Sequence, residues 1–139
     1  MTNLLIIHSI NRWMVTLVAL ALVSRFSVGL IRKQAWDKSA TILTTVFGGL
    51  LDIQLLLGLM MFVLEGLGPK GFPTYRWEHA VTMLLAVIVA HLTSMWKKQI
   101  DSVRLRNTLI TVLLSLLLIF IGIGPLGGWV RWWHITGLF

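Results

Sequence analysis

Four apolar stretches dominate this chain and limit its fold more than any other feature. They run over residues 4–31, 39–64, 75–96 and 107–123 of 139. A helix needs about 20 apolar residues to cross the hydrocarbon core of a bilayer, so four such stretches with short loops use up nearly the whole length. The predicted class is therefore all-α, an integral membrane four-helix bundle running up-down-up-down, in a single transmembrane domain over 1–139. Composition agrees: 57% of residues are hydrophobic and 12% charged, against roughly 25% charged in ordinary globular proteins. Soluble enzymes and nucleic-acid binders are excluded together. A net charge of +7 then reads as loops facing anionic membrane lipid, with no nucleic-acid partner.

The breaks between stretches have clear chemistry. The basic loop Arg32-Lys33-Gln34-Ala35-Trp36-Asp37-Lys38 closes the first, and Gly66, Gly68, Pro69, Gly71 and Pro73 close the second, since these residues do not continue a helix. Lys97 and Lys98 end the third, and Gly124-Pro125 ends the fourth. The tail over 125–139, with Trp129, Arg131, Trp132, Trp133 and His134, reads as interfacial. His8 and Arg12 in the first stretch, with no basic lead before it, argue for a retained span and against a signal peptide. Arg25, Arg32, Lys33, Lys38, Lys97, Lys98, Arg104 and Arg106 fall at one membrane face; Arg12, Lys70, Arg76 and Arg131 fall toward the other. The positive-inside rule puts the larger group in the cytoplasm. The expectation is a multi-pass protein of the cytoplasmic (inner) membrane with both termini outside.

Ionisable residues within spans are costly and mark functional candidates. His8 lies near the outer start of span one, His79 at the outer start of span three, and His134 in the outer tail. Spans one and three are diagonal in such a bundle, so imidazoles facing across it can take both axial positions of a haem iron. His79, Met83, Ala86 and Ala90 share one helix face, leaving short side chains below that histidine. Arg12, one turn beyond His8, is a candidate partner for a haem propionate. The simpler alternative makes both histidines interfacial, bonded to headgroups or backbone, and reads His134 as membrane-surface decoration. With no cysteine in the chain, disulfides, iron–sulfur ligation and covalent c-type haem attachment are excluded.

A second polar pair lies deeper. Asp52 of span two and His91 of span three are equally far from the outer ends of adjacent antiparallel helices, which predicts contact near the midplane. The plainer reading is a polar clasp between helices; the functional one is a proton-handling or quinone site, with Gln54 nearby. His91 lies about 120° around the helix from His79, so the two cannot face one haem. Gly48, Gly49 and Gly58 in span two, with Gly122 and Gly124 in span four, permit close helix approach or room for a porphyrin edge. Met60, Met61 and Met83 read as packing.

The run His8-Ser9-Ile10-Asn11-Arg12-Trp13, then Ile53-Gln54-Leu55-Leu56-Leu57-Gly58, then Glu78-His79 resembles small four-span bacterial membrane proteins labelled cytochrome b. It is also similar to part of a haem A synthase half-repeat, in which a His with a nearby Arg opens one span, a Gln-x-Leu-x-Gly run closes the next and a second His opens the third. The likeness covers roughly residues 4–96. It implies one non-covalent haem b on His8 and His79. Leu5 stands where the synthase has a catalytic glutamate, and the chain is about half as long with no cysteine pair, so haem A synthesis is not expected. Asp52-Ile53-Gln54 stands where the small cytochromes have His-Ile-Gln.

The leading expectation is a b-type membrane cytochrome of the electron-transport or respiratory chain, an electron-transfer protein or subunit rather than a stand-alone enzyme. It would carry electrons between quinol and an outer partner, among other membrane subunits of an electron-transfer complex. The alternative is a haem-free small accessory subunit of a respiratory or photosynthetic complex. A transporter lacks support, because no span is broken at the midplane.

Overall fold

The structure, a computed structural model, describes residues 2–69 and 71–127. Four long helices make it up: α1 (Thr2–Ile31), α2 (Lys38–Gly66), α3 (Thr74–His91) and α4 (Asp101–Ile123). A 3-10 turn over Leu92–Trp96 extends α3, and another over Gly124–Leu126 follows α4. No strand occurs among the described residues. Each helix is long and apolar enough to cross a membrane, which is the make-up of a multi-pass membrane protein. The Trp-rich tail, His134 and Lys70 lie outside the described residues.

The inward face of α1 is set by helical periodicity. Val15, Ala19, Leu22 and Phe26 recur at three- and four-residue steps and are buried. They meet Phe47, Leu50 and Leu51 of α2, Val87 and Ala90 of α3, and Leu105 and Val112 of α4 in one core. The most extensive contacts join α3 to α4 and α1 to α2, followed by α1 with α4 and α2 with α3. Small and hydroxyl side chains let α3 and α4 approach closely: Ser115 is buried and donates to the Ala86 carbonyl at 2.9 Å. Outward positions carry apolar side chains such as Leu17, Leu20 and Leu56, each at least 60% exposed. Lipid is the solvent that such a surface fits.

The fourth helix begins at Asp101, ahead of the apolar stretch that starts at 107. Its first turns are amphipathic, with Leu105 buried while Asp101 and Arg106 are exposed, so hydropathy alone does not mark them. Between α1 and α2, Lys33 adopts a left-handed φ of 52°, which stops α1. Asp37 then caps α2: its carboxylate accepts from the Ala40 backbone N–H and the Ser39 hydroxyl, each at 2.8 Å, and from Arg25 at 2.9 Å. Trp36 seats this turn on the rest of the molecule, tilted against Phe26 and lying 3.8 Å beneath the Arg104 guanidinium.

This cap has a pH signature. The Ala40 N–H first, then Ser39 and Arg25, hold the Asp37 carboxyl down at about 2, against an ordinary 3.8. Because the folded value is depressed, the stabilisation is full above about 4 and is lost as pH falls from there through about 2. Thermal unfolding of the detergent-solubilised protein should show Asp37→Ala melting below wild type at pH 6, with the gap closing as pH falls to about 2. A gap that stays constant over that range would show that the carboxylate does not act as the cap.

Candidate functional site

A cavity of about 610 Å³ opens at the end of the molecule where α1 and α3 begin and α2 and α4 finish. This volume lies within the roughly 300–1,000 Å³ of cofactor and ligand sites. Its titratable and amide lining comes from His8 and Arg12 of α1, Gln54 and Glu65 of α2, and Tyr75, Arg76 and His79 of α3, with the hydroxyls of Ser9 and Thr16 beside them. Gly58, Met83 and Ala86 also line it, so the short face expected below His79 borders the cavity as far as Ala86. Ala90 is buried in the core instead.

His79 has its tautomer fixed. Its Nδ1 lies 2.8 Å from the Gly122 carbonyl oxygen, which only accepts, so Nδ1 carries the proton and donates. The lone pair is left on Nε2. A ring N–H given to a backbone carbonyl is the usual support of a metal-binding histidine. Glycine at 122 favours the close approach of α4 to α3 that makes this bond: an added Cβ would displace the Met83 methyl and sit 3.1 Å from the Thr82 Cβ.

His8 is oriented by a relay that runs from the backbone. The Leu50 carbonyl accepts from Asn11 Nδ2 at 2.9 Å, and the same nitrogen donates to Gln54 Oε1 at 2.7 Å. This turns the Gln54 amide nitrogen toward His8, where it donates to Nε2 at 3.0 Å. A neutral His8 therefore also carries its proton on Nδ1 and its lone pair on Nε2. Its Nδ1 is buried with no hydrogen-bond partner among the described residues. The ring lies against Gly58, whose ideal Cβ would be 3.4 Å from His8 Cε1. Both imidazoles thus keep a lone pair on Nε2, a ring atom that binds metals, and on His8 the Gln54 amide occupies that lone pair.

Cations gather at the same cavity. Arg12 lines it one turn beyond His8, and Arg76 lines it three residues before His79. Arg76 is ion-paired to Glu65, and its Nη1 is buried without a hydrogen-bond partner among the described residues. A large apolar ligand bearing carboxylates, gripped by two imidazoles, matches this lining; haem b is such a ligand. Sequence reasoning missed Asn11 and counted Arg76 only as a topology signal. Both share a helix face with a candidate ligand at a three-residue step, which was the available clue.

The second polar pair does form, in a different setting from the one expected. His91 Nε2 lies 3.4 Å from Asp52 Oδ2, but the side chains are 52% and 50% exposed, so the pair faces outward from the helices. Gln54 does not accompany it. Two residues along a helix is about 200° of rotation, and Gln54 belongs instead to the relay behind His8. Asp52 does not line the cavity, so the departure from His-Ile-Gln at this position falls outside the candidate haem pocket. Among the described residues no three His, Cys, Asp or Glu side chains cluster as a metal site.

Comparison with models of known protein families, with curated proteins and with solved structures returned no match to this chain.

Proposed function

We propose that this protein is a b-type membrane cytochrome, a four-helix up-down-up-down bundle holding one haem between His8 and His79. The observation that carries this reading is the meeting of both imidazoles at one 610 Å³ cavity, with His79 committed through Nδ1 to the Gly122 carbonyl. Lining from alternate ends of successive helices supports the antiparallel order. Arg12 and Arg76 would neutralise the propionates, and Met83 and Ala86 would pack on the porphyrin. The haem supplies one-electron chemistry when bound; the protein supplies ligation, burial and charge. Electrons would pass between quinol and a partner among other membrane subunits. The resemblance in the His8–Arg12, Gln54–Gly58 and His79 segments points the same way.

Haem content is the first test. Protein purified from haem-replete cells should give a b-type pyridine haemochrome, extractable by acid acetone because no cysteine tethers it. A haem-free preparation that is monodisperse and helical would overturn the proposal. The second reading, a haem-free accessory subunit, would then stand; the Gln54 amide on His8 Nε2 is the observation that favours it.

For placement, we propose the cytoplasmic membrane with both termini outside, on the imbalance of cations between the two faces. Alkaline phosphatase fused after Phe139 should be active, and β-galactosidase at that point silent. The opposite pattern would put the cavity at the cytoplasmic face.

A further inference from the structure

The Asp52–His91 pair serves no purpose in the cavity, and its position raises a separate question. Asp52 stands midway along α2, about 20 Å from either end at 1.5 Å per residue. Both side chains are about half exposed on the outer surface of the helices. Exposed apolar residues share these faces, Leu56 on α2 and Ile88 and Met95 on α3, together with the smaller hydroxyl residues Thr45 and Ser94. A polar pair turned toward hydrocarbon is costly, and a partner that reaches it must come through the lipid.

The hydrogen bonds of the pair narrow the chemistry of that partner. His91 Nδ1 lies 2.9 Å from the Val87 carbonyl oxygen, so that nitrogen donates and is committed. With His91 neutral, Nε2 is an acceptor, and an ionised Asp52 offers acceptors only. A proton on Nε2 would join the two as an ion pair at 3.4 Å and leave the other carboxylate oxygen to accept from a hydroxyl; without that proton, a hydroxyl can donate to either acceptor. An N–H on Nε2 that turns from Asp52 can donate to a carbonyl instead. The helix surface beside the pair is open at two glycines. An ideal Cβ at Gly49 would meet nothing within 4 Å, and one at Gly48 would meet only His91 Nε2, at 4.0 Å.

We infer that the ring of a lipid-borne quinol or quinone docks on the Gly48–Gly49 surface, with its hydroxyl or carbonyl oxygen on the Asp52–His91 pair. A flat ring fits against two glycines, its oxygen can donate or accept as its redox state changes, and its isoprenoid tail lies along Leu56, Ile88 and Met95. This assigns the site at which the proposed cytochrome meets its quinol, and so rests on that proposal for its role in electron transfer, though not for binding.

The test uses a photoreactive azido-ubiquinone analogue on the full-length protein in nanodiscs. Label is expected on residues around 48–56 and 88–95, competed by unmodified ubiquinone and by a menaquinone analogue. Asp52→Leu and His91→Phe should each cut labelling roughly tenfold, as the loss of one strong hydrogen bond implies. Asp52→Asn, which can still donate and accept, should keep most of it and guards against misfolding. Haem content should be unchanged in all three. Labelling that is unaffected by the variants, or that falls elsewhere, overturns the site, as does cross-linking showing this face covered by a second copy of the chain. Labelling here in a protein that binds no haem would leave the site standing and remove the cytochrome.

Discussion

In the His79→Ala protein the Soret band is expected to vanish, or to shift to that of a high-spin iron with an open position. Changing a residue that merely orients a ligand costs metal affinity about 10- to 100-fold, so removal of the ligand itself should exceed the upper figure. His8→Ala should behave alike. His91→Ala should keep the wild-type spectrum, because its ring is turned outward at Asp52 and is absent from the cavity lining. The same is expected of His134→Ala. Visible spectra of the four purified variants decide this. Retention of a low-spin haem by His79→Ala would show that another residue is the ligand.

The series at Gly58 should separate cavity volume from ligation. An added Cβ there sits 3.4 Å from His8 Cε1, an ordinary contact, so Gly58→Ala should bind haem nearly as wild type. Gly58→Phe places a ring in the cavity beside His8 and should expel the haem while both histidines remain. Crowding at this contact should cost about 1–3 kcal/mol of stability, with most of the ring in the cavity, and the protein should remain monodisperse. Equal haem content in Gly58→Phe and wild type would show that the ligand lies elsewhere.

The sequence made the helices legible because lipid imposes one coarse rule, length and apolarity, on every span. It did not reveal where α4 begins, since the first turns at Asp101, Arg104 and Arg106 are amphipathic and escape that rule. His8 and His79 stood out as ionisable groups in apolar stretches, and both line the cavity. The groups that orient them were harder to see. Gly122 acts through its backbone carbonyl, which every residue has, so no side chain announces it. Gln54 was grouped with Asp52 by nearness in sequence, although the helix turns them to opposite faces. Asn11 is buried and links Leu50 to Gln54, a role visible only once α1 and α2 are packed together.

On the proposed reading, two imidazoles, each with its lone pair on Nε2, bind one iron in this cavity. Low-temperature electron paramagnetic resonance of the oxidised wild-type protein tests it most directly. Bis-histidine ligation leaves no open position and predicts a low-spin ferric signal accounting for all of the haem. A purely high-spin signal, or no haem signal from protein purified under haem-replete conditions, would contradict it.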